Sequence, residues 1–570
     1  MDMKGSQMAT TNADTPWTKI YPAYVKWDSE IPVCPVADLL DRTVREYGHS
    51  PGFDFLGKKL TWGEIGDRVN RMAAGLQKLG VGKGVKVGLF LPNCPLFLIT
   101  YYAVLKVGGT VVNFNPLYST KEIAHQISDS EADFMVTVDV KMLCDKMLEV
   151  LPGSRLKKII VGNFAGLLPF PKNILYPIVK MADVAHLPKS DHIVHLDDLM
   201  NNNGRPQAVS IDPLNDIAVL QYTGGTTGVP KAAMLTHANV VGNVVQCYLY
   251  LNYTEKGKYK MLGVLPFFHV FAMTGVMNLS VLGAFEIIAL PRFDLDQTLD
   301  LIDKKKPDIF PAVPAIYNAI NHHKKLSKFN LRSIKICVSG GAPLPVEVKK
   351  SFEANTGCVV CEGYGLTEAS PVICVNPPVG ENRAGSIGLP MPGTRIRIVD
   401  PETGEDAEQG ELCAAGPQVM KGYWNRPDET AGVFYGEYLR TGDVAIMDKD
   451  GYFFIVDRIK DMIITNGYKV YPRNVEEVIY LNPAVEECIV AGIPDESRGE
   501  IVKAWVKPKE GQSLTEAELK AFLEGKVSKM EMPRVVEIRS EPLPKTMIGK
   551  LSRKDVLAQE KDRQKQRKSA

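Results

Sequence analysis

The chain has 570 residues, more than one hydrophobic core ordinarily holds, so at least two domains are expected. Hydrophobic residues are 45% and charged residues 23% of it, as in ordinary globular proteins, and a formal net charge of +1 gives no case for nucleic acid, which needs a clustered basic face. Ten cysteines without framework spacing point to a reducing compartment; the lone CxxC of Cys358 and Cys361 has no second pair or nearby histidine and reads as a strand rather than a zinc site.

Residues 1–20 read as a disordered lead, with no charged-then-apolar leader, so a cytoplasmic protein is expected. Residues 62–79 carry a helical pattern. The stretch 87–105 is uncharged, but Pro92, Asn93 and Pro95 break it, which predicts a buried strand, a turn and a core helix rather than a membrane span. Strand-like runs follow at DFMVTVD, KKIIVG, IAVLQY, YKMLGVLPF, FEIIALP and IKICVSGG, with a helix at 347–356. Their alternation predicts α/β layers in a large N-terminal domain over 21–456. Apolar residues, prolines and lysines of 165–187 fit either a partly buried surface helix or a patch resting on a membrane, peripheral on its inner face. Short strands and glycine turns over 385–456 predict a small β-rich subdomain. A boundary is expected at Asp457, and 457–570 should form a smaller, mobile α+β domain whose charged tail, 559–570, is frayed.

The densest chemistry lies in YTGGTTGVPK, residues 222–231. Its glycines allow backbone N–H groups to approach an anion, its threonines add donors, and Lys231 adds a point charge suited to phosphate. The loop reads as a cradle for a polyphosphate. It is not a Walker A loop, because Val229 and Pro230 separate Gly228 from Lys231 and a strand-like run follows instead of a helix.

This loop, in the context LQYTGGTTGVPKAAMLTHAN, resembles the phosphate loop of the acyl-adenylate-forming superfamily (acyl-CoA synthetases, luciferases and peptide-synthetase adenylation domains), and is most similar to the bacterial long-chain fatty-acid–CoA ligases. The resemblance spans roughly residues 60–554 and rests on several motifs in family order. It implies that ATP, Mg²⁺ and coenzyme A act together on a fatty acid: the carboxylate first joins AMP, then passes to the thiol. A carboxylate is ionised at neutral pH, so the first step needs charge neutralisation and N–H donors rather than a general base.

By this resemblance Thr223, Gly224, Gly225, Thr226, Thr227, Gly228 and Lys231 hold the phosphates. EGYGLTEAS (362–370) supplies Glu362, Gly363, Tyr364 and Gly365 to the adenylate, Thr367 to the α-phosphate and Glu368, with Thr223, to Mg²⁺. SGGAPLP (339–345) borders adenine through Gly340, Gly341, Ala342 and Pro343. RTGD (440–443) places Asp443 on the ribose hydroxyls, with Arg458 nearby. PLPKTMIGKLSRK (542–554) contains Lys550, the residue expected to neutralise charge between acyl carboxylate and α-phosphate. Asp457 is the implied hinge; beyond it Lys460, Gly467, Tyr468 and Lys469 face the pantetheine arm in a second pose. In PFFHVFAM (266–273), His269 is implied to lie beside the acyl carboxylate, with Phe268, Phe271, Met273 and Met277 lining an apolar pocket; the gating tryptophan of some fatty-acid ligases is absent there. An aryl- or short-chain acyl-CoA ligase and a fatty-acyl-AMP ligase remain alternatives, and the residues leave a homodimer open.

Overall fold

The helix Trp62–Lys78 shows how local sequence sets an element: Thr61 accepts from the Glu64 amide while the Glu64 carboxylate accepts from Thr61, and the buried face runs through Trp62, Ile65, Val69, Met72 and Leu76. The computed structural model describes residues 15–223, 230–253, 255–495, 497–546 and 551–569. They fall into two units, Glu30–Ile373 with Gly416–Gly432, and Met1–Ser29 with Cys374–Ala415 and Val433–Ala570.

In the first unit, one sheet has the order Ile193–His195, Lys158–Gly162, Phe134–Val138, Lys86–Leu89, Thr110–Asn113, Ile217–Tyr222, Ala232–Thr236. All its pairs are parallel except the last, the hairpin around the phosphate loop. A second sheet carries, in order, Val359–Gly365, Ile336–Ser339, Ile309–Ala312, Lys260–Gly263, Glu286–Ala289, Pro51–Phe55 and Lys58–Thr61, parallel up to its last, antiparallel pair. Strands such as Phe134–Val138 are buried along their whole length, which is why they read as continuous apolar runs. The uncharged stretch resolves into the strand Lys86–Leu89 and the helix Pro95–Lys106, buried from Pro95 to Leu105. Among the described residues no helix is long and apolar enough to cross a membrane.

Between Ala165–Leu167 and Met181–Asp183 lies the helix Lys172–Val179, none of whose residues is buried. Phe170, Ile174, Leu175, Ile178, Val179 and Met181 all face solvent.

The second unit holds two sheets. Arg395–Val399, Gln409–Ala415 and Tyr438–Met447 pair antiparallel, and Phe434–Tyr435 and Phe453–Arg458 also pair with Tyr438–Met447. The other has Tyr468–Val470, Ile463–Thr465, Gly499–Pro508 and Val485–Asp495 in order, with Val535–Ile538 beside Gly499–Pro508. Helices Pro472–Tyr480 and Glu516–Leu523 bury Val475, Ile479, Leu519 and Leu523 with its strands. The tail corrects the sequence expectation: 553–569 is the helix Arg553–Ser569 rather than a frayed end. Val556 is fully buried beside Trp505 and Leu543, and Glu560 pairs with the buried Lys503 at 2.8 Å, which anchors a helix whose composition alone looks solvated. The mixed α/β class expected from the sequence is the class observed.

Candidate functional site

Of the residues singled out in the sequence, Gly224, Gly225, Thr226, Thr227, Gly228 and Lys550 lie outside the described residues. Both flanks of the phosphate loop are defined. Thr223 N–H donates to the Lys231 carbonyl at 2.9 Å, closing the hairpin where Ile217–Tyr222 meets Ala232–Thr236. The strand Ala232–Thr236 also packs against the short turn Thr367–Ala369 of the adenylate motif. The strand that follows Lys231 and the turn that carries Glu368 are thereby neighbours, although some 130 residues separate them in the chain.

The extra edge that makes this possible comes from 420–424. Met234 N–H donates to Gly422, Lys421 N–H to Met234 and Trp424 N–H to Ala232, while Met420 N–H donates to the Glu368 carbonyl at 2.8 Å. Tyr423 thus points its hydroxyl at Glu368 Oε1, 2.7 Å away, and its ring lies 5.3 Å from Lys231 Nζ. At the other flank Tyr222 donates to Asp129 at 2.7 Å, and Arg426 holds the second oxygen of Asp129 at 2.7 Å. Tyr423, Asp129 and Arg426 are absent from the sequence-derived set. None sits in a glycine-rich or otherwise unusual pattern, and only the tertiary pairing reveals them.

The two adenine-side loops are tied by Glu362, whose buried carboxylate accepts from Leu344 N–H at 3.1 Å. Gly340 N–H donates to Ala312, and a Cβ on Gly340 would come within 3.3 Å of the Phe271 ring and 3.4 Å of the Gly363 carbonyl. Gly341 needs its glycine: its φ is +80°. Ala342 and Pro343 complete this exposed turn and Tyr364 stands half-buried at the end of the neighbouring strand. At Gly365 the backbone folds back so closely that an added Cβ would lie 1.9 Å from the Pro371 carbonyl oxygen.

His269 caps the helical segment that follows it, its Nδ1 accepting Phe271 N–H at 3.2 Å. That fixes the neutral tautomer with hydrogen on Nε2, a donor suited to an acyl carboxylate. Gln221 steadies the preceding turn, donating to the Phe268 carbonyl at 3.0 Å while accepting from Asn113 at 2.8 Å. Phe268 and Phe271 are half-buried, whereas Met273 and Met277 are fully buried in the π-helical segment Met273–Asn278. Such widened turns are frequent at functional sites.

In the second unit, Asp443 and Arg458 face each other across paired strands, carboxylate to guanidinium 3.6 Å. Glu411 shapes the turn before Asp443 by accepting from Gly442 N–H at 3.0 Å and pairing with Arg440 at 2.8 Å. Asp457 is buried and accepts from the Arg458 and Arg473 amides, each at 2.7 Å, with Arg553 at 3.7 Å. Burial raises its pKa from the ordinary range, and Arg553 and the two amides oppose the rise. Burial, then the Arg458 charge, lowers the Lys460 ammonium. Gly467, at φ +78°, turns the hairpin of Ile463–Thr465 and Tyr468–Val470; a Cβ there would meet nothing within 4 Å, Tyr468 is exposed, and Lys469 lies 3.9 Å from Glu402. Lys545, the other lysine before Lys550, is held by Glu487 at 2.5 Å.

The oxygen donors of Glu368 and Thr223 suit Mg²⁺, which takes few protein ligands and completes its shell with water and substrate phosphate. An α/β scaffold with a glycine- and threonine-rich hairpin, a phosphate-suited lysine and a magnesium-suited carboxylate at adjoining strand ends is that of a nucleotide-using enzyme. The AMP-binding enzyme model matches residues 40–424 and the AMP-binding enzyme C-terminal domain matches 474–550. A long-chain-fatty-acid–CoA ligase of Bacillus subtilis (strain 168) is 44% identical over 551 residues, 96% of this chain and 98% of its own. Among solved structures, the ATP-bound MatB of Rhodopseudomonas palustris has a TM-score of 0.79 at 27% identity, covering 91% of this chain and 98% of its own. The anthranilate CoA ligase AuaEII in complex with anthranoyl-AMP has a TM-score of 0.81 at 25% identity, covering 93% and 98%. This chain belongs to the AMP-binding enzymes.

Proposed function

We propose that this protein joins a long- or medium-chain fatty acid to coenzyme A at the expense of ATP. An oxygen of the fatty carboxylate attacks the α-phosphorus of ATP; the α–β phosphoanhydride bond breaks, giving acyl-AMP and pyrophosphate. The coenzyme A thiolate then attacks the acyl carbon, and AMP leaves with the electron pair of the broken C–O bond. The observation that carries the reading is end-to-end similarity to a relative named for this reaction.

The residues divide the work by charge. Lys231 and the Thr223 hydroxyl take phosphate oxygens, and Glu368 holds Mg²⁺, which neutralises phosphate charge when bound. His269 Nε2–H orients the acyl carboxylate beside Phe268 and Phe271. Asp443 and Arg458 take the ribose, and Gly340, Gly341, Ala342, Pro343, Glu362, Gly363, Tyr364 and Gly365 border adenine. Thr367 bonds the α-phosphate. Lys550 neutralises charge between the two reacting anions and withdraws when the module after Asp457 turns, bringing Lys460, Gly467, Tyr468 and Lys469 to the pantetheine arm. The solvent-facing apolar helix of 165–187 would rest on the inner face of a membrane, where insoluble substrate collects; a homodimer is also compatible with the reading.

Pyrophosphate release measured across C2 to C18 carboxylic acids, with and without coenzyme A, tests the proposal. Release that depends on a fatty acid, with acyl-CoA formed when the thiol is added, is expected. Acyl-AMP that accumulates and never meets the thiol would assign a fatty-acyl-AMP ligase, and release confined to short or aromatic acids would change the substrate class.

A further inference from the structure

The segment Lys421–Arg426 lies far along the chain from both nucleotide motifs yet grips each of them. Its backbone pairs with Ala232–Thr236, immediately after Lys231, through donors and acceptors at Met234, Gly422, Lys421, Trp424 and Ala232. Arg426 reaches the opposite flank of the same hairpin through Asp129 and Tyr222. Between these anchors stands Tyr423, whose side chain does two things. The hydroxyl donates to Glu368 Oε1 at 2.7 Å, and the ring face lies 5.3 Å from the Lys231 ammonium. Its own backbone is pinned, because its N–H donates to Thr430 Oγ1 at 2.9 Å.

We propose that Tyr423 is the positioning residue that sets the Glu368 carboxylate for Mg²⁺ and, through its ring, places Lys231 for the phosphates, so that metal and nucleotide are received as one unit. The inference rests on Glu368 as the metal carboxylate, as proposed above. A carboxylate with one oxygen engaged by a fixed donor is restrained in orientation, and such outer partners ordinarily carry a 10- to 100-fold effect on metal affinity. Cation–π contact to the same ring restrains Lys231 without neutralising it, as a carboxylate partner would.

Tyr423→Phe removes only the hydroxyl and keeps the ring under Lys231. The Mg²⁺ concentration for half-maximal fatty-acid-dependent pyrophosphate release should rise about tenfold, with the rate returning at saturating metal. The affinity for Mn²⁺, titrated by electron paramagnetic resonance with a non-hydrolysable ATP analogue present, should fall by the same factor. Tyr423→Ala, lacking the ring as well, should show a raised KM for ATP that excess Mg²⁺ does not restore. Thermal unfolding checks that each variant folds. Thr430→Val, which keeps the tyrosine and loosens its backbone, should shift the metal requirement in the same direction by a few-fold. Wild-type Mg²⁺ requirement and Mn²⁺ affinity in both Tyr423→Phe and Thr430→Val would overturn the inference. Wild-type protein that never releases pyrophosphate would instead defeat the proposed function, so the two failures are distinguishable.

Discussion

Gly365→Ala tests the geometry of the adenylate motif with one methyl group. An ideal Cβ at Gly365 would sit 1.9 Å from the Pro371 carbonyl oxygen and 2.7 Å from its carbon, with Val372 Cα at 3.0 Å, all backbone atoms that no rotamer can move. Relief requires the two strands of the turn to part by more than ~1 Å, and this breaks the 3.0 Å bond from Leu366 N–H to Pro371. Overpacking of this kind costs about 1–3 kcal/mol and a lost backbone hydrogen bond about 0.5–1.5, so local destabilisation of about 2–4 kcal/mol is expected. The displaced turn carries Thr367 and Glu368, and a shift of about 1 Å in groups that position reactants lowers rates on the order of 100-fold. The assay is fatty-acid-dependent pyrophosphate release, with Gly153→Ala as control, since a Cβ at Gly153 meets nothing within 4 Å. Full activity in Gly365→Ala with unchanged thermal stability would refute the reasoning.

Three other outcomes follow. Lys550→Ala should suppress acyl-AMP formation while thioester formation from supplied acyl-AMP largely survives; equal loss of both half-reactions would contradict the two-pose account. His237 is buried with its Nδ1 accepting Val36 N–H, and burial lowers its pKa from 6.5 to about 4. Because the folded value lies below the unfolded one, the contribution is complete above about pH 6.5 and erodes as pH falls towards 4, amounting to about 2 kcal/mol between pH 7 and 5. Denaturant titrations should show that loss in the wild type and a flatter profile in His237→Gln; parallel profiles would exclude it. Arg553 pairs with Glu476 at 2.6 Å and Asp461 at 3.0 Å, so Arg553→Leu should destabilise the C-terminal sheet by about 3–5 kcal/mol, read by hydrogen exchange at Val485–Asp495. Wild-type protection there would show that the carboxylates need no counter-charge.

What the sequence made legible follows from burial and local chemistry. Runs such as KIIVG and FMVTV stand out because parallel strands are covered on both faces, and residues 62–78 carry their own capping box. The phosphate loop and EGYGLTEAS declared themselves by unusual local composition. Tyr423 did not, since its partners Glu368 and Lys231 are 55 and 192 residues away and nothing local marks it. The return of Gly416–Gly432 to the unit of Glu30–Ile373 is equally non-local. The terminal helix was obscured by its charge; the buried Val556 and the Lys503–Glu560 pair that hold it appear only after folding. Met273 and Met277 are fully buried whereas Phe268 and Phe271 are half-buried, a difference that residue type alone does not show.

The most direct measurement of the central claim follows radiolabelled ATP with purified protein, Mg²⁺ and a long-chain acid, first alone and then with coenzyme A. The account predicts pyrophosphate and enzyme-bound acyl-AMP in the first stage and acyl-CoA with AMP in the second. Protein that binds ATP yet leaves it intact with every carboxylic acid offered would contradict it.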